Sequence, residues 1–139
     1  MASPGTMLGL VALFAEAAHH AAKAEHAAVA KAAEIIEAGA KHAIGSYEFG
    51  WPPLAESTVA RKANGDTPLL ETGALRDSIS HEVHEHSAVV GSTSDIARYH
   101  EFGTSRIPPR PFLWGSAMHH AEEIEKQAGD VVIKTLGLS

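Results

Sequence analysis

Between Thr6 and His42 alanine is interleaved with Glu, Lys and His, proline is absent, and only Gly9 and Gly39 interrupt the run. Leu10, Phe14, Ala18, Ala22, Val29, Ala32 and Ile36 recur at steps of three, four or seven, with Glu25, Lys31, Glu34 and Lys41 set elsewhere. This is the pattern of one long helix, written in residues of high helix propensity. About 37 residues at 1.5 Å each give a rod of roughly 55 Å, whereas a compact chain of this size has a radius of gyration of only about 14 Å. The helix must therefore bend, break or project. Its alanine-rich middle lets backbones approach closely but buries little area per residue. Two placements follow: over a sheet with a frayed N-terminal end, or with its first half packed against another subunit.

Gly45, Gly50 and the Pro52–Pro53 pair stop helix, and Trp51 supplies one large anchor. Ala55 to Lys62 fits a short helix, Asn64-Gly65-Asp66 has turn chemistry, and Thr72 to Asp77 reads as a helical turn that delivers Leu75 to the core. From Ile79 to His86, Ile79, His81 and Val83 alternate with Ser80, Glu82 and His84, the period of a half-buried strand. Ser87 to Ser92 is its partner across a tight turn, which makes a hairpin. Ser94 or Asp95 is placed to cap a short helix through Ala97, Tyr99 and His100 that ends at Gly103. Thr104 to Pro111 is a proline-stiffened exposed loop. Beyond it Leu113, Ala117, Ala121, Ile124, Ala128, Val132 and Leu136 restore a helical stripe, with Gly129 as its weak point. The predicted fold is α+β, with a long N-terminal helix and a C-terminal helix packed on a small antiparallel β-sheet. It forms a single domain over residues 1–139: a helix in 1–44, a middle segment 45–112 carrying the hairpin and the loop, and a second helix in 113–139.

The 139 residues, 14.6 kDa, match one ordinary domain. Surface scaling puts the folded area at roughly 6,900 Å² against roughly 21,000 Å² unfolded, enough for a core without staples. Cysteine is absent, which excludes disulfides, thiolate zinc sites and cysteine nucleophiles. A net charge of −6 with His neutral argues against a surface that grips phosphates or adheres to an anionic bilayer. The apolar run Met7 to Phe14 has no Lys or Arg before it, so it does not read as a secretory leader. No stretch approaches the ~18 apolar residues of a membrane span. The expectation is a soluble protein made in the cytoplasm.

Ten histidines raise the question of a metal. The densest group is His81, His84 and His86 with Glu82 and Glu85, but neighbours on one flat strand face diverge, and a tetrahedral site would need a further ligand from elsewhere. His19-His20 and His119-His120 point about 100° apart on helices, and no His-Glu-x-x-His spacing occurs. A Gly-x-Ser-x-Gly elbow and a phosphate-cradling glycine loop are likewise missing. Glu101 beside Phe102-Gly103 fits either a buried acid or base, or a helix-end charge pairing with Arg98 or Arg106. The balance is against an enzyme, and no cofactor is expected. Arg106, Arg110, three prolines, Phe112 and Trp114 instead concentrate the residue types enriched at interface hot spots. Phe112 reads as the anchor of the last helix, and the arginines as intersubunit contacts.

Five segments in order carry a resemblance: Trp51-Pro52-Pro53-Leu54-Ala55-Glu56-Ser57-Thr58 followed by Lys62; Pro68 through Ile79; Val90-Gly91-Ser92; Ala97 through Thr104; and Ile107 through Leu113. Together they resemble the tailed-bacteriophage neck or tail-completion family, that of lambda minor tail protein Z and the Mu-like virion morphogenesis proteins. The similarity covers about Trp51 to Leu113. It implies a structural protein of the virion neck, made in the host bacterial cytoplasm, that completes the tail and joins it to the head as a ring around the DNA channel. The implied partners are further copies of itself, as a homo-hexamer or dodecamer, the tail terminator or tail tube protein on one side, and the head-closure or adaptor protein on the other. Double-stranded DNA would pass through the lumen without specific binding, which an acidic chain suits. The alternatives are a tail terminator or head-closure protein of the same region, and a small His-rich metal-binding domain. On the matching positions, the implied interface residues are Arg98, Glu101, Arg106, Pro108, Pro109, Arg110 and Trp114. Trp51, Gly73, Leu75, Ile79, Gly103 and Phe112 would define the fold. Arg110 paired with a neighbour's carboxylate leads to the expectation that Arg110→Ala weakens assembly and leaves the monomer folded.

Overall fold

One uninterrupted helix, α1 (Met7–Ala43), forms the spine of the molecule. The structure is a computed structural model that describes residues 7–138, with residues 8–10, 13 and 14 described as backbone only; Leu10 and Phe14 of the expected stripe therefore lie outside the described side chains. The helix does not break. Every described side chain up to Lys23 is exposed, and burial begins at Ala24. From there Ala24, Ala33, Ala40 and Ala43 are buried, while Val29, Ala32 and Ile36 are half-buried and Ala18 and Ala22 face solvent. Two sides of the C-terminal half are covered at once, because the helix lies between the hairpin and the C-terminal helices.

Short elements follow: α2 (Glu56–Arg61), α3 (Ala74–Asp77), strands β1 (Ile79–Val83) and β2 (Ala88–Ser92), α4 (Ala97–Phe102), α5 (Leu113–His119) and α6 (Ala121–Thr135). The strands pair antiparallel with Ile79 opposite Ser92, His81 opposite Val90 and Val83 opposite Ala88. This register turns Ile79, His81 and Val83 toward α1 and Ser80 and Glu82 outward. The first strand ends at Val83, so His84 to Ser87 form the turn rather than continuing the strand. Trp51, Leu75, Ile79, Ala97 and Phe112 close the core against Ala40 and Ala43 of α1 and Ile44 just beyond it. The architecture is α+β. Among the described residues no helix is long and apolar enough to cross a membrane.

Besides the shorter first strand, the sequence reading differs from the structure here in three ways. The C-terminal stripe is two helices, and the break falls at His120 (φ −101°, ψ 15°) rather than at Gly129, which sits inside α6. Hydrogen bonds from the His120 N–H to Ser116 O (3.0 Å) and from the Ile124 N–H to His120 O (2.8 Å) carry across the break, so it is a kink. Its cause is close packing on Gly39, where an added Cβ would lie 2.5 Å from the Ser116 hydroxyl and from the His120 ring. The fully buried Ser116 donates to Ile36 O at 2.7 Å and seals the crossing. Second, neither Ser94 nor Asp95 caps α4; Ile96 holds the N-cap position without a side-chain bond. Third, Arg110 is not on the surface. It is 7% exposed, and its Nε and Nη2 donate to Pro52 O (3.1 and 2.8 Å) while Nη2 also donates to Pro53 O (3.1 Å). In place of the exposed intersubunit contact expected of Arg110, the side chain is turned inward, and its Nε and Nη2 tie the Trp51–Pro53 segment to the loop.

Candidate functional site

The end of α4 is built around one carboxylate. Ala97 is buried, and Glu101, four residues on, shares its inward face. Glu101 Oε2 accepts the N–H groups of Phe112 (2.9 Å) and Leu113 (3.0 Å), and Oε1 accepts that of Trp114 (2.9 Å). These are otherwise orphan donors at the start of α5, where the helix dipole also favours a negative charge. Glu101 thus caps another helix, and it pairs with neither Arg98 nor Arg106. Glu101→Ala is expected to lower stability by about 1–3 kcal/mol, read from a urea unfolding curve with unchanged slope, because it strands three N–H groups at once.

The same geometry forces Phe102, one residue past the inward position, into solvent. Gly103 ends the helix there with φ 74°, and a Cβ on it would lie 2.7 Å from the Pro109 nitrogen, so loop and helix end are pressed together. Gly73, before α3, has φ 89°. Phe102 is 80% exposed and Trp114 66% exposed, large values for aromatic side chains. Both line a groove of about 1,150 Å³, together with Ala88, Val90, Ala97, Leu113, Ala117 and Ile36 of α1 and the polar run Ser92 to Asp95. Arg98 stands at its rim, with its guanidinium 5.1 Å from the Tyr99 ring centroid and donating to the Tyr99 hydroxyl (3.3 Å). Exposed apolar surface this concentrated, rimmed by polar groups, marks an interaction site.

A second groove of about 770 Å³ lies on the other side of α4, lined by Leu54, Lys62, Leu75, Ile96, His100, Arg106 and Pro108. The proposed interface residues are therefore divided. Arg98, Glu101 and Trp114 border the first groove; Arg106, Pro108 and Arg110 border the second, and Pro109 packs on Gly103. Sequence reasoning missed Phe102, Tyr99, Val89, Ile96 and Met118, all of which are exposed. The signal was present for Phe102, since an Ala97–Glu101 inner face leaves residue 102 about 100° away.

His100 is half-buried in the second groove. Burial, then the Arg110 cation, then the Lys62 cation, hold its pKa below the usual 6.5. A base depressed on folding costs stability as pH falls from its ordinary value through its folded one, since the unfolded chain takes the proton more readily. His100→Asn is therefore expected to lose less thermal stability than the parent between pH 7 and pH 5, in a melting series across that range.

The histidines do not converge on a centre. His81 lies 3.3 Å from Glu37, His86 bonds Glu25 at 3.1 Å, His84 is 3.8 Å from Glu82, and His42 bonds Glu48 at 2.9 Å. Among the described residues no group of three or more side chains is placed to hold a metal ion.

Comparison with known proteins bears on the same stretch. A family model described as the phage virion morphogenesis family matches residues 13–133. One curated relative, "Mu-like prophage FluMu G protein 2" of Haemophilus influenzae, is 31% identical over 87 residues, 58% of this chain and 61% of the relative. The chain thus spans about three-fifths of that relative's length. No solved structure matches.

Proposed function

The chain belongs to the phage virion morphogenesis family, and from that premise we propose that it is a structural subunit of the virion neck, assembling as a ring at the head–tail junction. Membership itself gives a structural or assembly role in building the phage particle. The ring, its sixfold count and its position are our reading. The observation that carries the reading is the exposed aromatic groove between α4 and α5, together with a long helix whose described side chains up to Lys23 are all exposed. A finished monomer does not expose both Phe102 and Trp114 on one groove, whereas a subunit awaiting neighbours does. The accessible surface, 9,030 Å², exceeds the roughly 6,900 Å² of a compact monomer of this mass. The net charge of −6 supports a lumen that lets DNA slide past without gripping its phosphates. In this reading the subunit works without catalysis, and its neighbours are the tail terminator or tail tube protein and the head-closure ring.

A prophage carrying a stop codon in this gene tests the proposal. Electron micrographs of the induced lysate are expected to show filled heads and tails that remain separate. Normally joined particles would contradict a neck role.

A further inference from the structure

We propose that the groove lined by Phe102 and Trp114 receives the N-terminal half of α1 from a neighbouring copy. The inference rests on the ring reading and names the contact that closes it. In α1, Met7 (79% exposed), Val11 (55% exposed), Ala15, Ala18 and Ala22 fall within an arc of about 80° on the helix surface. Among the described residues that apolar stripe is exposed throughout, and the segment from Met7 to Lys23 extends about 25 Å.

The groove matches such a guest in shape and chemistry. Its lining combines the small side chains Ala88, Ala97 and Ala117 with the exposed rings of Phe102 and Trp114, and Ser92 to Asp95 give it a polar margin. At about 1,150 Å³ it exceeds the ~300–1,000 Å³ of a small-molecule pocket. An alanine-rich helix presents the narrow, rigid face that a helix-in-groove contact requires, with aromatic rings able to close over it.

The guest must come from another molecule. Ile36, in the second half of α1, forms one border of the groove, and the helix runs from there to Met7 without a break. For a chain to fill its own groove, α1 would have to snap and reverse. A helix that leaves one subunit and enters a different surface on the next is a heterologous contact, which closes into a ring when the rotation allows. The area agrees. The surface exceeds that of a compact monomer by about 2,000 Å², and a stable interface buries about 1,200–2,000 Å². In a ring each subunit gives its helix to one neighbour and its groove to the other, so each loses about one interface's worth.

The absence of cysteine makes the test clean. Full-length Ala18→Cys and Ala117→Cys are mixed and mildly oxidised, and the mixed covalent dimer is measured on a denaturing gel. It is expected at least about tenfold above that from Ala18→Cys mixed with Ala60→Cys, an exposed position on α2 away from the groove, because docking raises the local thiol concentration. In parallel, Ala18→Arg is expected to abolish the ring mass in solution, whereas His20→Arg, on the opposite side of the helix, keeps it. Both positions are exposed, so the subunit fold is not at stake. Rings that form without the 18–117 cross-link, or that survive Ala18→Arg, overturn this contact and leave the ring reading standing. A parent protein that never leaves the monomer overturns both.

Discussion

Arg110→Ala is expected to lose about 3–5 kcal/mol of stability, seen as a fall of about 10–20 °C in Tm by circular dichroism. The reasoning starts from three hydrogen bonds donated by a 7% exposed guanidinium to the carbonyls of Pro52 and Pro53. Charge-assisted bonds to carbonyls are among the stronger kind, and truncation removes them all while leaving a void beside the core. The segment they hold matters, since the Trp51 indole N–H donates to Pro111 O at 3.3 Å and the ring packs edge-on to Phe49, with centroids 5.7 Å apart. Trp51, Arg110 and Pro111 thus clamp two stretches some sixty residues apart in the sequence. Arg110→Lys is expected to recover only part of the loss, because an ammonium cannot reproduce the planar fork. A variant that melts like the parent but fails to assemble would restore the intersubunit role and contradict the clamp.

Replacing Phe102 and Trp114 by alanine is expected to act in the opposite way, leaving the monomer intact and removing assembly. Exposed side chains outside caps and cores change stability by about 0.5 kcal/mol or less. An aromatic hot spot at an interface is worth about 2 kcal/mol or more, roughly thirtyfold in affinity. A ring repeats the contact at every junction, so the concentration at which the ring half-assembles rises steeply with each substitution. Sedimentation of parent and variants over the same concentrations checks this. Unchanged assembly of the double variant would remove the groove from the interface.

The helices and the hairpin were legible because their signals are periodic and local. Alanine-rich steps of three and four give α1 to within a residue of its ends, and the Ile79–His81–Val83 alternation gives the inward face of β1. The resemblance rested on Trp51 to Leu113, and the family model reaches further, over 13–133, taking in most of α1 and α6. What escaped was set by distant partners. Arg110, among prolines, has the composition of an exposed loop, yet its acceptors lie 57 and 58 residues earlier. Glu101 read either as a buried acid or base or as a helix-end charge, and its capping role escaped because the N–H groups it caps belong to the next helix. The kink at His120 follows from the close crossing at Gly39, to which helix propensity, pointing at Gly129, is blind. The histidine cluster reads as one group in the sequence, but His81 and His86 are drawn to separate carboxylates, Glu37 and Glu25, on α1.

The most direct test of a ring is the mass of the purified protein in solution, measured by light scattering across a concentration series. The account predicts a discrete species at six times 14.6 kDa, or twelve, with no ladder of larger forms. A single 14.6 kDa species at every concentration would contradict it.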